Sequence, residues 1–281
     1  MMKLILPTAV LLLMLSIGMS LSLRQLIENW RRLTPSLWAR LVAATFIIPP
    51  LLALTVGWML PIGTAATTGL FLVAVAPGAP LMTRGVAKKG FDIHVAASYQ
   101  VWGALLAPLM IPLLVAAGAW LYGRNIWVPP MKLLWVIARQ QFLPLLAGMA
   151  LMRLFPAFST RVRPVLNLTG NIALTTALVA ILFKLGPALL QMSPWVGVAA
   201  LLLAAGCLLA VRLLMGGHSS TVQALSISNA NRHVGMALLM VGQNIRDQRP
   251  VPAIAAYALA ATLVMGLYAK FALRNKEKAQ A

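Results

Sequence analysis

The sequence predicts an all-α integral membrane fold of nine transmembrane helices, two of them discontinuous. Three observations carry that expectation. Of the 281 residues, 61% are hydrophobic and 10% charged, and the mean hydropathy of +0.88 excludes an ordinary soluble domain. The apolar runs approach the roughly 20 residues needed to cross a bilayer. Two of those runs are broken partway by residues that a lipid-facing helix does not carry.

The spans read, in order, 2–22, 36–59, 65–87, 93–121, 132–153, 164–185, 194–215, 218–244 and 251–272. In the first, Lys3 precedes about twenty apolar residues without a clean small-x-small cleavage site, so it reads as a span rather than a signal peptide. Seven tryptophans (Trp30, Trp38, Trp58, Trp120, Trp127, Trp135, Trp195) fall mainly near span ends, where interface anchors belong. The single cysteine, Cys207, lies in an apolar run, which leaves no intrachain disulfide and no Cys metal cluster.

The net charge of +19 does not describe a nucleic-acid binder, because Lys and Arg sit at the ends of apolar runs without a basic face. Fifteen of the 23 collect on one set of loops, among them Arg24, Arg31, Arg32, Arg40, Arg84, Lys88, Lys89, Arg153, Arg161 and Arg163. By the positive-inside rule those loops are cytoplasmic, which puts the N-terminus outside and the C-terminus inside a plasma (inner) membrane. Residues 274–281 read as a short cytoplasmic tail.

The first broken run, from Ala65, meets Ala76-Pro77-Gly78-Ala79-Pro80. A regular helix does not pass two such prolines, and the carbonyls freed in a bilayer need protein or a water-lined cavity. The plainer alternative is a kinked helix with no binding role. The second run, 218–244, opens with N-cap chemistry at His218, Ser219, Ser220 and Thr221. Ser226 to Gly235 then interrupt it with two Asn, Arg232 and His233. A mid-span arginine alone costs about 2.5–3.5 kcal/mol on insertion scales, so this segment faces protein or a cavity. Snorkelling or packing against a carbonyl is the plainer reading of Arg232.

The broken spans are the third and the eighth, so they cross the bilayer in opposite senses. That is the arrangement of a 4+5 inverted repeat, the first over 1–122 without its opening helix and the second over 131–273. Proteins built this way are carriers that place solute at mid-depth, between half-helix ends and free carbonyls. The candidate site for a small organic anion is Pro77, Gly78, Asn229, Asn231, Arg232 and His233.

Particular motifs carry a family resemblance. Leu13-Met14-Leu15-Ser16-Ile17-Gly18-Met19-Ser20-Leu21 is similar to an M-F-x-M-G-L-x-L helix, and Pro77-Gly78-Ala79 stands where P-G-G is expected. Ala107 to Pro112 match A-P-L-L-T-P, Asp92 falls on a common acidic position, and Asn231 to Leu238 are similar to R-N/H-x-G-L-A-L. Together they resemble the bile acid:sodium symporter family over nearly the whole chain. The resemblance implies a core of spans 2, 3, 4, 7, 8 and 9, a panel of spans 1, 5 and 6, and sodium as coupling ion. It adds Thr83 and Gln100 to the candidate site.

Against that pattern, Met82 and Thr83 stand where sodium-coupled members carry Ser-Asn, and Ala96 and Gln100 replace two hydroxyls. Ser228 replaces a carboxylate, and Arg232 a frequent glutamine. Thr83, Gln100 and Ser228 remain as a degenerate sodium set. Sodium prefers several oxygen donors including a charged one. Arg232 therefore reads as a fixed positive charge in place of bound sodium, its planar fork suited to a carboxylate or sulfonate. His94 and His233 are the candidates for proton coupling, and Arg139 in span 5 either lines the panel–core crevice or pairs with a carbonyl. Rival readings are a sodium-independent or proton-coupled carrier, and a membrane scaffold or sensor that transports nothing. No His-Glu-x-x-His pattern supports an intramembrane enzyme. Oligomeric state has no signature in the chain.

Overall fold

Proline placement and helix length decide how the chain divides. The computed structural model describes residues 2–20, 34–77, 93–121, 130–217, 219–244 and 248–280. Helix α1 covers Met2–Met19, and α2 covers Pro35–Met59. Thr34 caps α2, its hydroxyl accepting from the Leu37 N–H, with Pro35 in the first turn where its missing donor is harmless. A turn with Gly63 at φ 75° sends the chain back into α3, Gly63–Ala74. That positive φ is cheap only for glycine. Then come α4, Ile93–Leu121, and α5, which joins Pro130–Ile137 through a π-helical turn at Ala138–Phe142 to Leu143–Leu154. Helices α6, Pro156–Leu190, α7, Pro194–Met215, α8, Ser220–Ala230, α9, Val234–Asn244, and α10, Val251–Gln280, complete the order. No strand occurs among the described residues.

Six helical stretches are long and apolar enough to cross a membrane: Pro35–Met59, Ser98–Leu121, Met131–Leu154, Pro156–Ile181, Pro194–Met215 and Val251–Ala272. Large apolar side chains cover the outside. Trp58, Trp120 and Phe183 are 82%, 84% and 81% exposed, which suits lipid and not water. The chain is a multi-pass membrane protein.

Three boundaries differ from the sequence reading. Helix α6 starts at Pro156 rather than 164, so Arg161 and Arg163 lie in its first turns and Pro164 is carried inside. Two prolines compete for the first-turn position there, and the earlier one takes it. Helix α10 runs on to Gln280, so residues 274–280 are helical and not a loose tail. In the second broken span the polar run Ser226 to Asn229 stays within α8, and only 231–233 leave the helix. Ser226 donates back to the Val222 carbonyl and Asn229 bonds other elements, so neither competes with its own helix.

Helices α1, α5 and α6 pack on one another, α2, α3, α7, α8 and α10 form a second group, and α4 and α9 touch both. Helix α1 reaches α5 backbone to backbone. A Cβ on Gly18 would lie 2.1 Å from the Leu145 carbonyl oxygen, and one on Gly148 would lie 2.2 Å from that of Leu15. Small residues that allow such an approach drive helix association where lipid supplies no hydrophobic force. Arg40 donates to the Leu214 carbonyl, and Leu52 lies against Gly206, so α2 and α7 run antiparallel with the start of α2 beside the end of α7. Helix α8 therefore enters from that end of the bundle, whereas α3 follows α2 from the other.

Gly148→Ala should lower the thermal midpoint of the purified protein by several degrees, because overpacking costs about 1–3 kcal/mol. Gly266→Ala, which meets nothing within 4 Å, should leave the midpoint unchanged. Equal midpoints for the two variants would contradict the backbone contact.

Candidate functional site

Helices α3 and α8 have 12 and 11 residues. At 1.5 Å per residue each rises about 16–18 Å, little more than half a hydrocarbon core of about 30 Å. Entering from opposite ends, both stop at mid-depth. The two non-helical stretches touch there: the His233 N–H donates to the Ala76 carbonyl at 2.9 Å.

A third element delivers free oxygens to the same place. In α2 a π-helical turn spans Ala43–Ile47, and the Ile48 N–H donates to the Ala43 carbonyl. Proline follows at 49 and at 50, and neither has an N–H. The carbonyls of Ala44 and Thr45 are therefore left without a helical donor. Side chains from α8 and the break behind it take them. Asn229 Nδ2 donates to Ala44 O at 2.9 Å and to Cys207 O at 2.6 Å. Arg232 Nη2 donates to Thr45 O at 2.7 Å and to Ala74 O at the end of α3. Arg232 Nη1 donates to Asn229 Oδ1 at 3.3 Å, and the Tyr99 hydroxyl donates to that oxygen at 2.7 Å, with Thr45 Oγ1 3.2 Å away. Tyr257 donates to the Ala230 carbonyl at 2.7 Å.

Electrostatics explain why a buried guanidinium is stable here. Arg232 is 1% exposed, and its partners are three neutral oxygens. Each helix C-terminus carries about half a negative charge. The ends of α3 and α8 together offer about one, matching the guanidinium. Hydrogen bonds to a charged group contribute about 1.5–3 kcal/mol each, enough to offset the insertion cost.

Beside the crossing lies a cavity of about 250 Å³, lined by 231–235, by Leu174 and Leu178 of α6, and by α10 from Tyr257 to Met265. It separates the α1–α5–α6 group from the crossing. Of the residues expected at the site, Asn231, Arg232 and His233 line it. Pro77, Gln100, Ser228 and Asn229 are buried, the last inside the hydrogen-bond network. The Ser228 hydroxyl and Gln100 Nε2 have no partner among the described residues. Gly78 and Thr83 lie outside the described residues. The fork of Arg232 is turned to protein oxygens, so the expected bidentate hold on a solute is not its arrangement here; only Nε is without a partner. His233 accepts from the Met236 N–H at Nδ1 and keeps Nε2 unpartnered. Arg139 is exposed on the π-turn of α5, not in the crevice. Sequence reasoning missed Thr45, Tyr99 and Tyr257; the Pro49-Pro50 pair was the available signal for the first.

The family model described as the Sodium Bile acid symporter family matches residues 7–192. No curated protein matches the chain. The match covers about two thirds of the sequence, and the chain belongs to that family, which is one of sodium-coupled transporters and not of enzymes. The matched region ends before α7, so the segment with Arg232 lies beyond it. Sodium does not fit the oxygens at the crossing while Arg232 holds them. A second unit charge about 5 Å from the guanidinium would meet about 3 kcal/mol of repulsion at an effective dielectric of about 20. No His, Cys, Asp and Glu cluster suited to a metal occurs among the described residues.

Asn229→Ala removes four of these hydrogen bonds and orphans the Ala44 carbonyl, whose helical donor position is Pro49. Unmade buried bonds cost about 1–3 kcal/mol each, so the variant should lose at least about 3 kcal/mol in a reversible unfolding titration. A loss under about 1 kcal/mol would contradict the network.

Proposed function

We propose that this member of the family is a secondary transporter of a small organic anion, working by alternating access as α1, α5 and α6 rock against the remaining helices. The observation that carries the reading is the cavity beside two half-helix ends that meet at mid-depth from opposite sides. The N-terminus of α9 brings the anion-attracting end of a helix next to His233 and Arg232. A volume of about 250 Å³ falls below the roughly 300–1,000 Å³ of drug-sized pockets. That favours a compact carboxylate or sulfonate with an apolar body, packed on Leu174, Leu178, Ala261 and Met265.

In this reading the chain makes nine crossings as a 4+5 inverted repeat, 1–122 and 131–273, with α3 and α8 as counterparts. It lies in the plasma (inner) membrane with the N-terminus outside and the C-terminus in the cytoplasm. Pro77, Gly78, Thr83, Gln100, Asn229, Asn231, Arg232 and His233 form or support the solute site. Sodium is the coupling ion that the family implies, with Thr83, Gln100 and Ser228 as its remaining ligand set. The fixed guanidinium favours the alternative of a sodium-independent carrier.

A panel of carboxylates and sulfonates applied to the purified protein should include one that raises its thermal midpoint saturably. Ala258→Phe, which fills the cavity from α10, should abolish that rise and the uptake of the same solute into proteoliposomes. If no solute stabilises the protein, the scaffold or sensor reading replaces transport.

A further inference from the structure

We propose that Arg232 is a tethered cation: its guanidinium holds oxygens that would otherwise bind a mobile monovalent cation, and its removal turns them into a cation site. Three oxygens from three elements converge on its terminal nitrogens, Thr45 O from α2, Ala74 O from α3 and Asn229 Oδ1 from α8. Two of the three are main-chain carbonyls without a helical donor. Thr45 loses its donors to Pro49 and Pro50, and Ala74 ends its helix. All three are hard, neutral oxygen donors, the kind that alkali and alkaline-earth ions take. The C-termini of α3 and α8 add partial negative charge, which favours a positive charge at this point.

The positive charge is needed for assembly, because unpaired carbonyls at mid-depth are costly. A mobile ion would meet the need only while bound. A covalent guanidinium meets it permanently, so α2, α3 and α8 stay joined whatever the ionic composition on either side. The consequence for the transport reading, on which this part rests, is that solute binding and return of the empty carrier need no sodium. Variants without the guanidinium should require a small cation for the same assembly.

The test is thermal unfolding of the full-length purified protein in choline, sodium and potassium chloride at equal ionic strength. Wild-type protein should unfold at the same midpoint in all three, within about 1 °C. Arg232→Ala should unfold earlier in choline and be raised by sodium or potassium, saturably, by about 3 °C at ten times the dissociation constant. Arg232→Lys, which keeps the charge, should be indifferent to the cation, as wild type is. A saturable sodium rise in the wild type overturns the proposal. So does an Arg232→Ala protein that no cation stabilises, including one lost equally from all three salts, and so does an Arg232→Lys protein as cation-dependent as the alanine variant. Because the readout uses no solute, failure to find a transported anion would count against the transporter reading and leave this result standing.

Discussion

Main-chain oxygens released at mid-depth in a bilayer have to be satisfied by protein, and in this fold one guanidinium joins two of them from different helices. Pro49 and Pro50 strip the donors from α2, and α3 stops at Ala74 instead of continuing across. Arg232 then binds Thr45 O and Ala74 O together, while Asn229 takes Ala44 O and Cys207 O. The side chain that insertion scales make most expensive is stable here because neighbouring helix ends offer it charge and hydrogen bonds at once. Without it, the junction of α2, α3 and α8 would hold several unpaired polar groups, each costing on the order of 1–3 kcal/mol.

The position of that junction links structure to motion. Every oxygen bonded to Arg232 belongs to α2, α3 or α8, and none to α1, α5 or α6. Relative movement of the two groups would leave the network intact and change only the walls of the cavity, where Leu174 and Leu178 of α6 face Asn231, Arg232 and His233. The α1–α5–α6 group has its own means of cohesion, the crossing of Gly18 against Gly148. The proposed rocking would be a rigid-body movement of these units and not a local unfolding.

Much of this was legible in the chain. Apolar run lengths placed the helices, and Pro77 together with the Asn231–His233 segment marked both breaks, because proline and mid-span polar residues have few tolerable settings in lipid. The extent of the second break was not legible. Ser226 and Asn229 look like helix interruptions in one dimension, yet stay helical, Ser226 by donating to the Val222 carbonyl of its own helix and Asn229 by bonding to α2 and α7. Nor was the direction of the Arg232 fork, which depends on carbonyls about 160 and 190 positions away in sequence. The choice of Pro156 over Pro164 as the start of α6 followed from competition between two equivalent signals. The Pro49-Pro50 pair went unread as a source of free carbonyls, because its effect at Ala44 and Thr45 depends on the π-turn that shifts the helical donors by one position.

The most direct measurement is equilibrium binding of radioactive sodium to the purified wild-type protein, followed by scintillation proximity with unlabelled sodium as competitor. A fixed charge at the crossing predicts no competable sodium signal up to physiological concentrations. A saturable signal, with stoichiometry near one ion per chain or higher, would contradict the account, because the oxygens assigned here to Arg232 would then be shared with a mobile ion.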